Sequence, residues 1–324
     1  MISRRKVMLA FGAGVFAAPR TGFAQAAPPA VRRIGILTPI DQPTYPVLVD
    51  ALRRLGYEDG KNAQLLLRVA KSDYGRLPAL ARELIDAQVE VIVAFNTPGA
   101  QAAIDATKTI PVIMTLVGDP VGSGFITSLA RPGGNVTGVS NQSGDLASKR
   151  LSILRELVPG ARRIAVLYNP VDPVNEPQIR NIKVAAPKLG VDVRFYPVKT
   201  LPELPETFAA LLAWRAQAAM WLNGQSQIYQ TSTIALAAKQ KLPVMVSGVL
   251  DVAEGGLIAY AADLTELVKR TATYVDKILK GARAGELPVE QATRFELVIN
   301  LKTAQALGLK VPQSILIQAT KVIE

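Results

Sequence analysis

One internal repeat governs what this chain can fold into. Arg32-Arg33-Ile34-Gly35-Ile36-Leu37 returns as Arg162-Arg163-Ile164-Ala165-Val166-Leu167, 130 positions later. The run from Ala51 to Gly56 is answered by Ala185 to Gly190, 134 later, and Val91 to Asn96 by Ala218 to Asn223, 127 later. Pro111-Val112-Ile113-Met114 is answered by Pro243-Val244-Met245-Val246, and Asp119 by Asp251, both 132 later. Five matches in one order at a nearly constant offset mark a duplicated structural unit.

Each copy reads as strand, helix, strand, helix, strand. Ile34–Leu37, Val91–Phe95 and Val112–Leu116 are short apolar runs rich in β-branched residues, as strands covered on both faces are. Between them, Leu77, Leu80, Ala81, Leu84 and Ile85 keep helical spacing. Alternation of this kind predicts an α/β fold of two doubly wound parallel-sheet lobes, with right-handed crossovers. After the second copy come a strand over 257–261, a helix opened by Asp263-Leu264-Thr265-Glu266 and stopped at Gly281, a strand over 295–300 and a short helix over 303–307. With 324 residues, 49% of them apolar and 19% charged, the chain has material for two lobes with real cores.

Open parallel sheets bind ligands beyond the carboxyl ends of their strands. The polar residues there are Thr38, Asn96, Thr97 and the stretch Thr115 to Asp119 in the first copy. In the second they are Tyr168, Asn169, Asn223 and Ser247 to Asp251. Thr97 and Pro98 suit the N-cap and first position of a helix, whose free N–H groups would seat a carboxylate. Asp119, ahead of Pro120 and Gly122-Ser123-Gly124, suits either an ammonium group or the start of a turn. Tyr45, Tyr168 and Tyr229 lie near strand ends and suit either stacking on a ligand or packing within a lobe. The direction in which Asp251 faces is open, because Gly255-Gly256 follow closely.

Two absences narrow the chemistry. There is no Cys and no His, which excludes thiol catalysis, disulfides, Ser-His-Asp triads and His- or Cys-ligated metals. Neither a Gly-x-Ser-x-Gly elbow nor a phosphate-binding Gly-rich loop of the Walker type occurs, so no cofactor and no metal are expected. The net charge of +11 falls to +7 once Arg4, Arg5, Lys6 and Arg20 are set aside, and the other basic residues are scattered without aromatic interleaving. No nucleic-acid partner is expected. Residues 1–26 read as an export signal: a basic start, an apolar run from Val7 to Ala18 too short to span a bilayer, and Ala24-Gln25-Ala26 as cleavage site. Ser3-Arg4-Arg5-Lys6 fits a twin-arginine signal as well as a general secretory one. A periplasmic location is expected where the cell has an outer membrane, and no apolar surface stripe asks for more than a monomer.

Longer motifs add a resemblance. They are Gly56-Tyr57-x-Asp59-Gly60-Lys61-Asn62, Thr97-Pro98-x-Ala100-Gln101, Ile110-Pro111-Val112 and Asp119-Pro120-Val121-Gly122-x-Gly124. The most specific is Pro132-Gly133-Gly134-Asn135-Val136-Thr137-Gly138-Val139, and Tyr168-Asn169, Ala253-x-Gly255-Gly256 and Ile278-Leu279-Lys280-Gly281 follow. From about Arg33 to Leu309 the chain resembles the extracytoplasmic substrate-binding proteins of ABC importers, in the TrpX-like group. The resemblance implies a type I periplasmic-binding-protein fold with two lobes joined by three crossover segments. On it, 31–140 plus 257–282 make the first lobe, and 141–256 plus 283–324 the second. It also implies capture of a small organic solute, an amino acid or aromatic acid, for an ABC permease in the inner membrane. Thr97 and Asp119 keep the family pattern and inherit roles toward carboxylate and ammonium. The second lobe departs from it: Asn223-Gly224-Gln225-Ser226 stands where amino-acid binders carry an acidic or Asn-rich cluster, and Val246-Ser247-Gly248-Val249 where they carry an Asp, with Asp251 the nearest acid here, which leaves that lobe's ligand chemistry open. Two other readings remain on the same fold: a periplasmic co-sensor for a receptor kinase, and an enzyme using Asp, Lys or Tyr.

Overall fold

Strands covered on both faces must bury every side chain, and these do. Ile34, Ile36, Val91, Val93, Val112 and Ile113 are fully buried in the computed structural model, which describes residues 31–224 and 229–324. The signal expected over 1–26 lies outside the described residues, as do Gln225 and Ser226.

The first half runs β1 (Arg32–Thr38), α1 (Tyr45–Arg54), β2 (Ala63–Val69), α2 (Leu77–Asp86), β3 (Val91–Phe95), α3 (Asn96–Ala106), β4 (Val112–Val117) and β5 (Val136–Ser140). Its strands lie in the order β2-β1-β3-β4-β5, and every neighbouring pair is parallel. The second half runs α4 (Ser143–Leu157), β6 (Arg163–Tyr168), α5 (Asn175–Lys188), β7 (Asp192–Pro197), α6 (Leu204–Ala213), β8 (Ala218–Trp221), α7 (Gln230–Gln240), β9 (Val244–Met245), α8 (Val249–Ala253) and β10 (Ile258–Ala262). These strands lie in the order β7-β6-β8-β9-β10. The sheets therefore share one topology, and the segments matched in sequence occupy equivalent strands: β1 with β6, β3 with β8, β4 with β9.

Side chains alternate across each sheet. Ile34, Ile36, Val91 and Val93 pack with Leu48 and Leu52 of α1, while Leu37, Ile92 and Ala94 pack with Leu80 and Leu84 of α2 and with α3. In the second lobe α4 and α5 cover one face and α6 and α7 the other. The chain then adds α9 (Leu264–Leu279), β11 (Glu290–Gln291), β12 (Phe295–Asn300), α10 (Leu301–Ala306), α11 (Gln313–Gln318) and β13 (Lys321–Ile323). The expected opening and stop of α9 are both present. Leu267, Val268, Val275, Ile278 and Leu279 join the first lobe's core, the Asp263 carboxylate caps the helix by accepting the Glu266 N–H at 3.1 Å, and Gly281 follows its end at φ +98°.

The crossings fall elsewhere than the expected division. Residues 257–282 are expected in the first lobe, and α9 does pack there. β10, however, pairs with β9 and β12 in the second sheet, so the chain crosses at Asp263. In the same way β11, expected with the second lobe, pairs with β5 in the first sheet. The physical reason is the repeat itself. It extends one strand further than the five matches, since Gly255-Gly256 precede β10 as Gly133-Gly134 precede β5. The sheets are parallel except that β12 runs antiparallel to β10.

Candidate functional site

Because both sheets are parallel, their strands end on loops that converge where the lobes meet. A cavity of about 540 Å³ lies there. The first lobe contributes Gln42 to Thr44 after β1, and Asn96 after β3. The crossings contribute Asn141 and Asp263. The second lobe contributes Asn223 after β8, Ser247 to Asp251 after β9, and Glu296 on β12.

Of the residues expected at the site, Asn96, Asn223 and Ser247 line this cavity, and Asp251 faces it as well. The others bond to or pack against their own lobe. The Thr38 hydroxyl donates to Ile40 O at 2.6 Å, and Thr38 also lines a smaller cavity beside this one. Thr97 is 2% exposed and its hydroxyl accepts the Gly118 N–H at 3.4 Å, tying the end of β3 to the end of β4. The Asp119 carboxylate accepts the Gly122 N–H at 2.7 Å and closes its own turn. Asn169 does the same for Val171 N–H at 3.1 Å, and Tyr168 packs edge-on against Phe195. Tyr229 stacks on Trp221 and donates to Lys199 O, while Tyr45 lines a smaller adjoining cavity of about 190 Å³ with Ile36, Leu67 and Phe95. α3 begins at Asn96, one residue before the expected cap, with that residue at φ +60°, a conformation asparagine tolerates better than most.

The amides of the cavity are oriented by what holds their oxygens. Asn141 Oδ1 accepts the Ser143 N–H at 3.1 Å, and Asn223 Oδ1 accepts from Arg150 Nη1. Both partners can only donate, so each amide must turn its NH2 group outward. Asn96 Oδ1 accepts from Gln42 Nε2. Among the described residues the NH2 groups of these three asparagines have no acceptor.

Arg150 was not anticipated. It sits on α4, fully buried, and its Nη2 donates to Trp221 O at 2.7 Å and Val246 O at 3.0 Å. Among the described residues no carboxylate pairs with it, and its Nε has no partner. Burial lowers its pKa to about 10, which still leaves it protonated at neutral pH. A signal was present: Ala147, Arg150, Leu151 and Leu154 share one stripe of α4, and a charge on an apolar stripe faces inward.

The cavity also carries acid. Asp251 accepts the Gly248 N–H at 3.0 Å, yet burial lifts its carboxyl to about 6; the Gly248 bond opposes that shift and the Glu254 charge adds to it. Burial raises Glu296 too, helped by Asp263 and opposed by Lys321. Among the described residues lining the cavity there is no Lys or Arg. The site thus offers amide donors with nothing to donate to, and carboxylates with no cation among the described residues that line it.

Comparison with known proteins gives this arrangement a family. The sequence pattern of the family described as "ABC transporter substrate binding protein" matches residues 33–323. The chain belongs to that family. Substrate-binding proteins of this kind take up a small molecule without transforming it, work with an ABC permease and act outside the cytoplasm. Among the described residues no helix is long and apolar enough to cross a membrane. This substrate-binding protein is 29% identical, over 86% of its length and 81% of the relative's, to a "Tyrosine-binding protein" of Clostridioides difficile (strain R20291). It is 27% identical to a solved ABC domain in complex with L-Trp from Streptococcus pneumonia, covering 91% of this chain and 100% of that one, with a TM-score of 0.84. A ligand-free, open structure of a substrate binding protein with adhesive properties from Clostridium difficile is nearly as similar in sequence, at 26% over 90% and 99% of the two chains. It superposes less well, with a TM-score of 0.65. As a whole this substrate-binding protein superposes better on the L-Trp complex than on that open structure.

Proposed function

We propose that this protein binds an α-amino acid as its zwitterion, with an aromatic or other apolar side chain, and delivers it to the permease of an ABC importer. The observation that carries this reading is the double set of unmatched groups in the cavity. The outward NH2 groups of Asn96, Asn141 and Asn223 call for an anionic acceptor, and Asp251 and Glu296 call for a cation. A simple amine would leave the amides unmatched, and a simple carboxylic acid would meet the acidic side chains unshielded. The adjoining apolar cavity shares Gln42 with the cleft and offers a seat for the side chain. The relatives named for tyrosine and solved with L-Trp support the same class of ligand. On this reading residues 1–26 direct export.

Calorimetry and thermal shift with L-tryptophan, L-tyrosine and L-phenylalanine, each beside its decarboxylated amine and its deaminated acid, test the reading. The expected result is binding of one or more of the amino acids and a loss of at least tenfold in affinity when either charged group is removed. Equal binding of an amine or a deaminated acid would overturn it. Delivery is tested by uptake of the bound amino acid into proteoliposomes holding the partner permease and ATPase, which should require this protein.

A further inference from the structure

A guanidinium is among the costliest groups to bury, and without a carboxylate beside it the cost is only partly offset by hydrogen bonds. Arg150 is nevertheless fully buried beneath the cleft with no acidic partner among the described residues. The position lies on the apolar stripe of α4, where leucine or methionine would fill the space. Its hydrogen bonds show what the charge does in this fold. Trp221 O ends β8 two residues before Asn223, and Val246 O lies one residue before Ser247. One rigid fork therefore fixes the two strand ends from which Asn223 and Ser247 reach the cavity, and its remaining terminal nitrogen holds the Asn223 oxygen.

We infer that Arg150 is a positioning residue that makes the site selective for a ligand carboxylate: it pins Asn223 with its NH2 group toward the cleft and places a permanent positive charge behind that amide. This rests on the amino-acid reading above. The guanidinium itself never touches the ligand. A carboxylate accepting from Asn223 Nδ2 sits one amide away from the buried charge, in surroundings of low dielectric where screening is weak. It supplies the counter-charge that the lobe lacks, and Asn223 transmits orientation and polarisation between the two.

The decisive variant is Asn223→Asp, which puts a carboxylate of the same size directly on the guanidinium. Two results are expected together. Without ligand, the midpoint of thermal unfolding rises by several degrees, because the buried cation gains its partner. With ligand, affinity for L-tryptophan and L-tyrosine falls a hundredfold or more, while affinity for tryptamine and tyramine is unchanged or higher, so the preference for carboxylate is lost. Asn223→Ala removes the donor but keeps the charge, and should weaken the amino acids about tenfold while keeping them ahead of the amines. A merely structural asparagine would give an Asp variant of equal or lower stability with its selectivity intact, and that result overturns the inference. Wild-type protein that does not prefer the two amino acids over their amines overturns the amino-acid reading instead, and the ligand-free unfolding midpoint still reports whether Arg150 governs position 223. Arg150→Lys, if it folds, should lower the amino-acid to amine preference more than it lowers the unfolding midpoint.

Discussion

At the scale of single residues, Asp251 ties stability and binding to pH in opposite directions. The residue is 9% exposed, and burial lifts its carboxyl from the usual carboxylate range to about 6. The folded chain therefore holds this proton more tightly than the unfolded chain between about pH 4 and pH 6. Across that window the Asp251 contribution to stability falls as pH rises, by up to about 3 kcal/mol for a shift of this size. Asp251→Asn keeps an oxygen for the Gly248 N–H and should flatten this part of the pH profile, raising stability at pH 7 by roughly 1–2 kcal/mol in chemical denaturation. Ligand affinity should move the other way. An ammonium group needs the ionised carboxylate, so the dissociation constant measured by calorimetry should rise as pH falls below about 6, and Asp251→Asn should bind weakly at every pH. A flat affinity profile from pH 5 to pH 8 would remove Asp251 from ammonium recognition.

The same scale shows why the site was only partly legible. Asn96, Asn223 and Ser247 follow from the rule that polar residues beyond parallel strands face ligands. Thr97, Asp119 and Asn169 obey that rule equally well and spend their oxygens on Gly118, Gly122 and Val171 N–H groups. Closing a turn and binding a ligand use the same side chains at the same places, and only the folded structure separates them. Arg150 escaped for the opposite reason. It lies within a helix, away from any strand end, where an arginine ordinarily points to water.

At the scale of elements, the motif from Pro132 to Val139 shows what a sequence signature is for. Gly133 and Gly134 take φ of +79° and +59° to turn the chain into β5. The Asn135 amide donates to Ile110 O at 2.7 Å and Thr107 O at 3.2 Å, and the Thr137 hydroxyl donates to Leu287 O at 2.8 Å. The motif thus locks β5 to the α3–β4 connection on one side and to the returning chain on the other. Gly138 sits at φ +137° opposite Met114, and a β-carbon there would lie 2.0 Å from Met114 O. Gly138→Ala must push two paired strands apart, so a loss of about 3 kcal/mol or more is expected, read as a lower urea midpoint with the denaturant slope unchanged. A variant within about 0.5 kcal/mol of wild type would mean that β5 has room to shift. The β10 assignment belongs to this scale too. Its apolar run identified it as a strand, but neighbours in a sheet are set by packing that no run of residues spells out, and only the Gly255-Gly256 echo of Gly133-Gly134 pointed to its partner strands.

At the scale of the whole molecule, the repeat made the two lobes legible, and what holds them against each other was not. Tyr74, in the turn after β2 of the first lobe, donates its hydroxyl to Asp172 Oδ2 of the second at 3.0 Å. Burial, and then the Asp172 charge, raise the phenol above its ordinary pKa, so it stays a donor across the physiological range. Gly118 makes a second close approach between the lobes: a β-carbon there would meet Ser143 Oγ at 2.3 Å and Val174 at 2.6 Å. Neither Tyr74 nor Asp172 lines the cavity. Their bond contributes to the lobe arrangement seen here, and the energy of that arrangement adds to whatever the ligand supplies. Tyr74→Phe removes one hydrogen bond to a buried carboxylate, a contact of about 1.5 kcal/mol or somewhat more. If the bond breaks when the lobes separate, the whole of that loss falls on the closed form. The dissociation constant should then rise roughly tenfold, mainly through faster release, for every ligand in the panel alike. The carboxylate preference set by Arg150 and Asn223 should be untouched. Unchanged release rates in Tyr74→Phe would show that the bond persists as the lobes part, and that Tyr74 and Asp172 travel together.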